Sequence, residues 1–271
     1  MAIVAFQGEH GAYSEEAAFA FFGKGIITLP CRSFVDIFHA VKNGEASNSM
    51  LPVENSIEGS VGSALDLLSK EPCVVEGEYK LPVHHCLISH PGATLLDIKE
   101  VYSHPQALGQ CREFLEQNKW DMIPFYDTAG SVRMIKEENK KNGAGIASAL
   151  AAEIYGMEVL AQNIETENTN TTRFLVLGTQ EPKPTGKDKT SIVFRTKHQP
   201  GALLCVLQAF AKEQINLTKL ESRPIPKEPW TYMFFLDCEG HKDDQNVQQA
   251  LSEAKLHTLE FRVIGSYPQH P

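Results

Sequence analysis

Residues 168–174 read NTNTTRF and run directly into the apolar LVLG. Hydroxyls and a guanidinium thus stand side by side where the chain becomes strand-like. The ordinary reading is a polar loop, because Thr and Asn suit turns. The chemical reading is a proton donor beside an anion clamp. Arg173 suits a carboxylate. Thr172 is a poor acid by pKa, but it can donate a hydrogen bond to a departing hydroxyl or relay a proton to it. Neighbours on a strand point to opposite faces, so the two serve one ligand only if the loop twists or Arg173 reaches around.

A second cluster, PVENSIEGSVG at 52–62, packs Glu54, Asn55, Ser56 and Glu58 beside two glycines. It reads either as a tight polar turn or as a site with Asn55 and Ser56 on a substrate and Glu54 bracing the loop. His84, His85 and His104 have no partner at helical i, i+4 spacing, which favours hydrogen bonding over metal ligation. Gln110, on a helix past Ser103, reads alone as a solvated side chain. No G-x-G-x-x-G or P-loop is present, so phosphate cofactors are not supported, and no Ser-His-Asp order, cysteine site or metal site competes.

The elements that position these residues alternate strand with helix. IVAF (3–6) reads as a buried strand, YSEEAAFAFFG as a helix stopped by Gly23, and ITLP as a second strand. SFVDIFHAVKNG carries a Ser33–Asp36 capping signature and an Asn43-Gly44 stop. SMLPVENS is a third strand, and Val74 to Ser89 reads as extended chain crossing to a second lobe. EVYSHPQALGQCREFLEQN then gives a strand and a helix with Pro105 in its first turn. Asp127 or Thr128 caps the next helix, Ser148 caps another and Gly156 ends it. This alternation predicts parallel α/β structure. Four loops, at 8–14, 103–107, 127–131 and 147–149, lead from a strand into a helix N-terminus. Free N–H groups there favour a small anionic ligand, although each loop alone reads as ordinary capping.

EPKPTGKDK (181–189) reads as a linker. Beyond it about eighty residues follow the order βαββαβ, the ferredoxin-like plan. The whole chain has 271 residues, 42% hydrophobic and 22% charged, as in ordinary soluble proteins. Its net charge of −9 and lack of a basic run argue against nucleic acid as a partner, and any anion site must draw on local positive potential. Six scattered cysteines read as reduced thiols. MAIVAFQGEHG lacks the length and basic region of a signal peptide, and no window approaches a membrane span, so a cytoplasmic protein without a membrane partner is expected.

In sequence order, GEHGAYSEEAA, PVENSIEGSVG, SHPQALGQC, DTAGSV and NTTRF resemble the prephenate dehydratase family, and GALLCVLQAF with NLTKLESRP resembles its ACT regulatory domain. Each motif is weak alone; their order over the whole chain is specific. The resemblance implies a catalytic region at 1–180 with two lobes like a periplasmic binding protein, roughly 1–76 with 166–180 and 77–165, and an ACT domain at 189–271. It implies conversion of prephenate to phenylpyruvate, water and carbon dioxide without a cofactor, toward phenylalanine. Thr172 and Arg173 fall on the family's catalytic positions. Asn55, Ser103 and Gln110 fall on its substrate-binding ones and Thr128 is expected near the cleft, while Ser56 joins them as substrate-binding from the reading of the 52–62 turn. Gly201, Ala202 and Leu203, together with Asn216 and Glu221, Ser222, Arg223 and Pro224, fall on an allosteric L-phenylalanine site shared between subunits, hence a homodimer or homotetramer. Arogenate dehydratase, the same chemistry on an ammonium-bearing substrate, and a non-catalytic amino-acid sensor are the alternatives.

Overall fold

The structure is a computed structural model and describes residues 1–225, 228 and 230–270. It divides into two compact units, Met1–Gly59 with Lys80–Phe174, and Ser60–Tyr79 with Leu175–Pro271.

The first unit begins with β1 (Ile3–Gln7), α1 (Tyr13–Phe22), β2 (Ile27–Cys31), α2 (Phe34–Lys42) and β3 (Asn48–Asn55). β1 pairs in parallel with both β2 and β3. Val4, Ala5 and Phe6 are buried, the continuous apolar run expected of an inner parallel strand. The sheet runs β2-β1-β3-β11-β5, with β4 (Gly59–Ser60) beside β3, β5 at Val74–Pro82 and β11 at Thr171–Gly178. α2 carries the expected capping box, with Ser33 and Asp36 satisfying each other's backbone N–H groups, and ends at Asn43.

A second sheet runs β10-β6-β9-β7-β8. Its strands are β6 (Cys86–Ser89), β7 (Glu100–Ser103), β8 (Asp121–Pro124), β9 (Gly143–Ala147) and β10 (Glu158–Ala161). Period-2 alternation splits their side chains between two cores. Leu87, Val101, Ala144 and Ile146 pack with Leu108 from α4 (Pro105–Gln110), Leu115 from α5 (Arg112–Asn118) and Cys111 between them. Cys86, Ile88, Tyr102 and Ala147 pack with Val132, Ile135, Ala151 and Ala152 from α6 (Thr128–Glu137) and α7 (Ala149–Tyr155). Asp127 caps α6, Ser148 caps α7, and Gly156 ends α7 in the left-handed conformation. The helix read as continuous from Pro105 to Asn118 is interrupted at Cys111, which ends α4 and opens α5. The short strands β4 and β10 carry no alternation long enough to read from sequence.

The second unit holds α3 (Gly62–Lys70) and the elements β12 (Asp188–Arg195), α8 (Ala202–Lys212), β13 (Leu217–Pro224), β14 (Tyr232–Glu239), α9 (Gln245–Leu256) and β15 (Glu260–Pro268). The sheet order β13-β14-β12-β15, antiparallel throughout, is the ferredoxin-like arrangement that the βαββαβ order predicts. α8 and α9 cover it through Val206, Ala209, Phe210, Val247, Ala250 and Ala254. No described helix is long and apolar enough to cross a membrane.

Candidate active site

In the first unit a cavity of about 100 Å³ is lined by Tyr13, Asn55, Val83, His85, His104, Gln106, Ala107, Gln110, Thr128, Asn170 and Thr172. Asn55 ends β3, His104 follows β7 and Thr128 opens the helix after β8, so the cavity lies beyond carboxyl ends of strands, where α/β sheets bind ligands. A larger opening of about 560 Å³ is lined by Gly8, Glu9, Arg32, Tyr126, Asp127 and Arg133 among others. There Glu9 is already engaged: Arg133 lies 2.6 Å from it, and Tyr126 donates to it at 2.9 Å. The smaller cavity gathers neutral donors and acceptors instead, and it holds four of the residues selected from sequence: Asn55, Gln110, Thr128 and Thr172.

Hydrogen-bond direction in this group follows from donors whose identity is beyond choice. The backbone N–H groups of Ile57 and Glu58 both reach one atom of the Asn55 amide, each at 3.0 Å, so that atom is the oxygen. The Asn55 nitrogen then donates to Asn170 Oδ1 at 2.7 Å and to Thr172 Oγ1 at 2.9 Å. With its oxygen accepting, Asn170 turns its nitrogen to Gln110 Oε1 at 3.1 Å. His85 Nε2 meets the same oxygen at 2.8 Å and must carry a proton. Nδ1 of a neutral His85 is then an acceptor, and Tyr13 donates to it at 2.7 Å. Burial holds the His85 imidazolium below its ordinary pKa, which keeps the ring neutral, and burial pushes the Tyr13 hydroxyl well up. Burial also pushes Glu165 up, but hydrogen bonds from the His85 backbone and the His84 ring outweigh it and hold the carboxyl low.

The consequence for Thr172 is specific. Its oxygen receives a hydrogen bond from Asn55, so the hydroxyl hydrogen is left to be given away. No carboxylate or imidazole lies within hydrogen-bond reach of that oxygen among the described residues. The hydroxyl is therefore set up as a donor, not as an activated nucleophile.

The other selected residues lie elsewhere. Arg173 takes the opposite face of β11, as alternation requires, with a nitrogen 3.7 Å from Glu54. Ser56 donates to the Thr169 carbonyl at 2.8 Å and accepts from the Thr171 N–H at 2.9 Å, which pins the chain on both sides of Asn170. Ser103 is fully buried and gives its hydroxyl to the Ile146 carbonyl at 2.6 Å, outside the cavity lining. In the second unit, Gly201 has φ 81° and precedes α8, where Ala202 is buried. Asn216 donates to Glu239 at 3.2 Å. Along β13, Glu221 and Arg223 are half-buried, while Ser222 and Pro224 are exposed. Glu221 receives the Ser60 hydroxyl, and Arg223 donates to Asp66 at 3.1 and 3.2 Å. No hydrogen bond joins 201–203 to 221–224 among the described residues. Asn170 and Tyr13 were absent from the sequence selection, and His85 was read there as a hydrogen-bonding residue without a place in the site. Asn170 was within reach, because it sits two residues before Thr172 and so shares its face.

Against known families, residues 4–182 match the prephenate dehydratase model and 190–255 the ACT domain model. The chain belongs to the prephenate dehydratase family. The bifunctional chorismate mutase/prephenate dehydratase of Aquifex aeolicus is 40% identical over 268 residues, 98% of this chain and 73% of that protein. A solved structure described as GqqA, a novel type of quorum quenching acylase, has a TM-score of 0.91 at 35% identity, covering 99% of this chain and 98% of that one. A prephenate dehydratase from Arthrobacter aurescens in complex with L-Phe has a TM-score of 0.90 at 31% identity, covering 98% and 89%. In this prephenate dehydratase chain the motif residues Asn55, Gln110, Thr128 and Thr172, spread over more than a hundred positions, converge on one cavity.

Proposed function

We propose that the protein is a carbon–oxygen lyase that converts prephenate to phenylpyruvate, water and carbon dioxide, in the route to L-phenylalanine. The observation that carries this reading is the fixed Asn55–Thr172 hydrogen bond, which leaves Thr172 as a donor in the cavity. Prephenate has two carboxylates and a ring hydroxyl. As the carbon–carboxylate bond breaks, its electron pair enters the ring, the hydroxyl leaves and the ring becomes aromatic. One proton is taken up to complete the water. Thr172 stabilises the departing oxygen in the transition state and passes it that proton, itself or through a water it holds. Arg173 lies beside Glu54 on the opposite face of β11, so it serves as a carboxylate anchor only by reaching around the strand and exchanging Glu54 for substrate. Asn55, Ser56, Ser103, Gln110 and Thr128 bind and orient the substrate, directly or through the loops they hold.

The division into a catalytic region, 1–180, and a regulatory domain, 189–271, belongs to the same proposal. L-Phenylalanine binds at Gly201, Ala202, Leu203, Asn216, Glu221, Ser222, Arg223 and Pro224, between subunits of a cytoplasmic homodimer or homotetramer, and inhibits turnover. Thr172 itself is not set up for acylase chemistry, which calls for an activated nucleophile, because it has no base beside it.

The test is the initial rate of phenylpyruvate formation from prephenate by the purified chain, with and without L-phenylalanine. Turnover suppressed by phenylalanine supports both halves. Turnover without suppression removes the regulatory half. Turnover of arogenate alone reassigns the substrate, and no turnover of either leaves the amino-acid sensor as the better account.

A further inference from the structure

We propose that His85 and Asn170 are positioning residues that lock the Gln110 amide with its oxygen inward, so that Gln110 meets the substrate as an N–H donor only. The inference rests on the reading of this cavity as the dehydratase site.

An isolated glutamine presents an oxygen or a nitrogen to a ligand with equal ease, since the two ends differ by a half-turn of the amide. Here both known donors converge on one end. Asn170 Nδ2 at 3.1 Å and His85 Nε2 at 2.8 Å each reach Gln110 Oε1. The direction is inherited from Ile57 and Glu58 N–H through Asn55 and Asn170, so reversing Gln110 alone would set N–H against N–H twice. Asn170 and His85 are only 2% exposed, so water does not compensate such a reversal. The Gln110 nitrogen, by contrast, has no protein partner among the described residues. An amide whose donors alone are free suits an acceptor: a carboxylate or the keto oxygen of an anionic substrate. It offers nothing to a substrate ammonium. Where Gln110 meets the group that differs between them, the arrangement favours the keto acid over its amino counterpart.

His85 acts through its tautomer. With Nε2 protonated and Nδ1 receiving Tyr13 at 2.7 Å, the ring cannot turn its acceptor toward Gln110 without breaking the Tyr13 bond. The His84 carbonyl, 3.0 Å from the same hydroxyl, competes for its single hydrogen; that hydrogen goes to Nδ1 at 2.7 Å, since otherwise the Nδ1 lone pair would face the phenol oxygen.

Two measurements on the full chain test this. Long-range ¹H–¹⁵N spectra of the histidines report the His85 tautomer without reference to turnover; protonation on Nε2 is expected, and protonation on Nδ1 overturns the proposal. The second is a double-mutant cycle in kcat/KM on prephenate. His85→Leu is expected to lose on the order of 10- to 100-fold in the parent, but less than about three-fold when Gln110→Ala is already present. His85→Gln, which restores a donor at the Nε2 position, is expected to recover most of the loss. Equal losses in both backgrounds, or no difference between the leucine and glutamine variants, overturn it, because a merely structural role is additive and blind to the donor. If His85→Leu fails to fold, Asn170→Asp replaces it in the same cycle: it still accepts from Asn55 but cannot donate to Gln110. A parent chain that turns over neither prephenate nor arogenate refutes the proposed function, and the tautomer then decides the positioning claim alone.

Discussion

Asn55→Asp is the substitution that separates hydrogen-bond direction from shape. The two side chains are nearly isosteric, and the aspartate keeps the oxygen that accepts Ile57 and Glu58 N–H at 3.0 Å. It loses both donors, and its second oxygen then faces two acceptors, Asn170 Oδ1 at 2.7 Å and Thr172 Oγ1 at 2.9 Å. The Thr172 hydroxyl relieves one of these clashes by rotating to donate to the new carboxylate, which takes its hydrogen away from the substrate. One lost transition-state donor costs roughly 100- to 1000-fold in kcat, or about 2.7–4 kcal/mol. Facing oxygens in a site only 8% exposed also raise the new carboxyl's pKa, so falling pH protonates it and returns one donor. The assay is kcat on prephenate across a pH series for parent and variant. A deep loss at neutral pH that narrows toward acid is expected. A variant within about three-fold of the parent, with the same pH profile, refutes the argument that Asn55 sets the Thr172 hydroxyl.

Gly11 has φ 88°, and an added Cβ would sit 2.6 Å from Ala151 Cα, so Gly11→Ala is expected to destabilise by a few kcal/mol and lower Tm clearly in a thermal melt. His85 has a folded pKa below its unfolded value of about 6.5, so the unfolded state takes up a proton first as pH falls. Stability is therefore lost below about pH 6.5, and urea titrations should show the advantage of parent over His85→Gln shrinking in that range. Lys189 and Glu78 are buried 2.8 Å apart, so either Lys189→Met or Glu78→Leu alone is expected to cost about 3–5 kcal/mol in denaturant unfolding, whereas the double variant should recover most of it.

Much of the fold was legible because local rules and tertiary demands agree. Ser33 with Asp36, Ser148 with Gly156, and Asp127 all cap the helices their side chains announce. The βαββαβ order predicted a sheet whose strands do take the ferredoxin-like order. The interruption at Cys111 went unread although Gly109, a weak helix former, precedes it by two residues; Cys111 itself is fully buried in the core. In the cavity, Asn55 and Thr172 announced themselves by type, whereas Gln110 read alone as a solvated side chain and was picked out only by the family resemblance. Their partners did not: His85 reaches Gln110 across 25 residues and Tyr13 across 72, distances at which spacing says nothing. Strand alternation did separate Thr172 from Arg173, and the structure has one beside Asn55 and the other beside Glu54.

Turnover, on this mechanism, depends on the Thr172 hydroxyl, and Thr172→Val measures it most directly, because valine keeps the shape and removes only the donor. With Thr172→Ser as the control that restores the hydroxyl, kcat on prephenate should fall roughly 100- to 1000-fold in the valine variant with KM little changed, and recover substantially in serine. A valine variant that turns over prephenate at the parent's kcat would contradict the central claim.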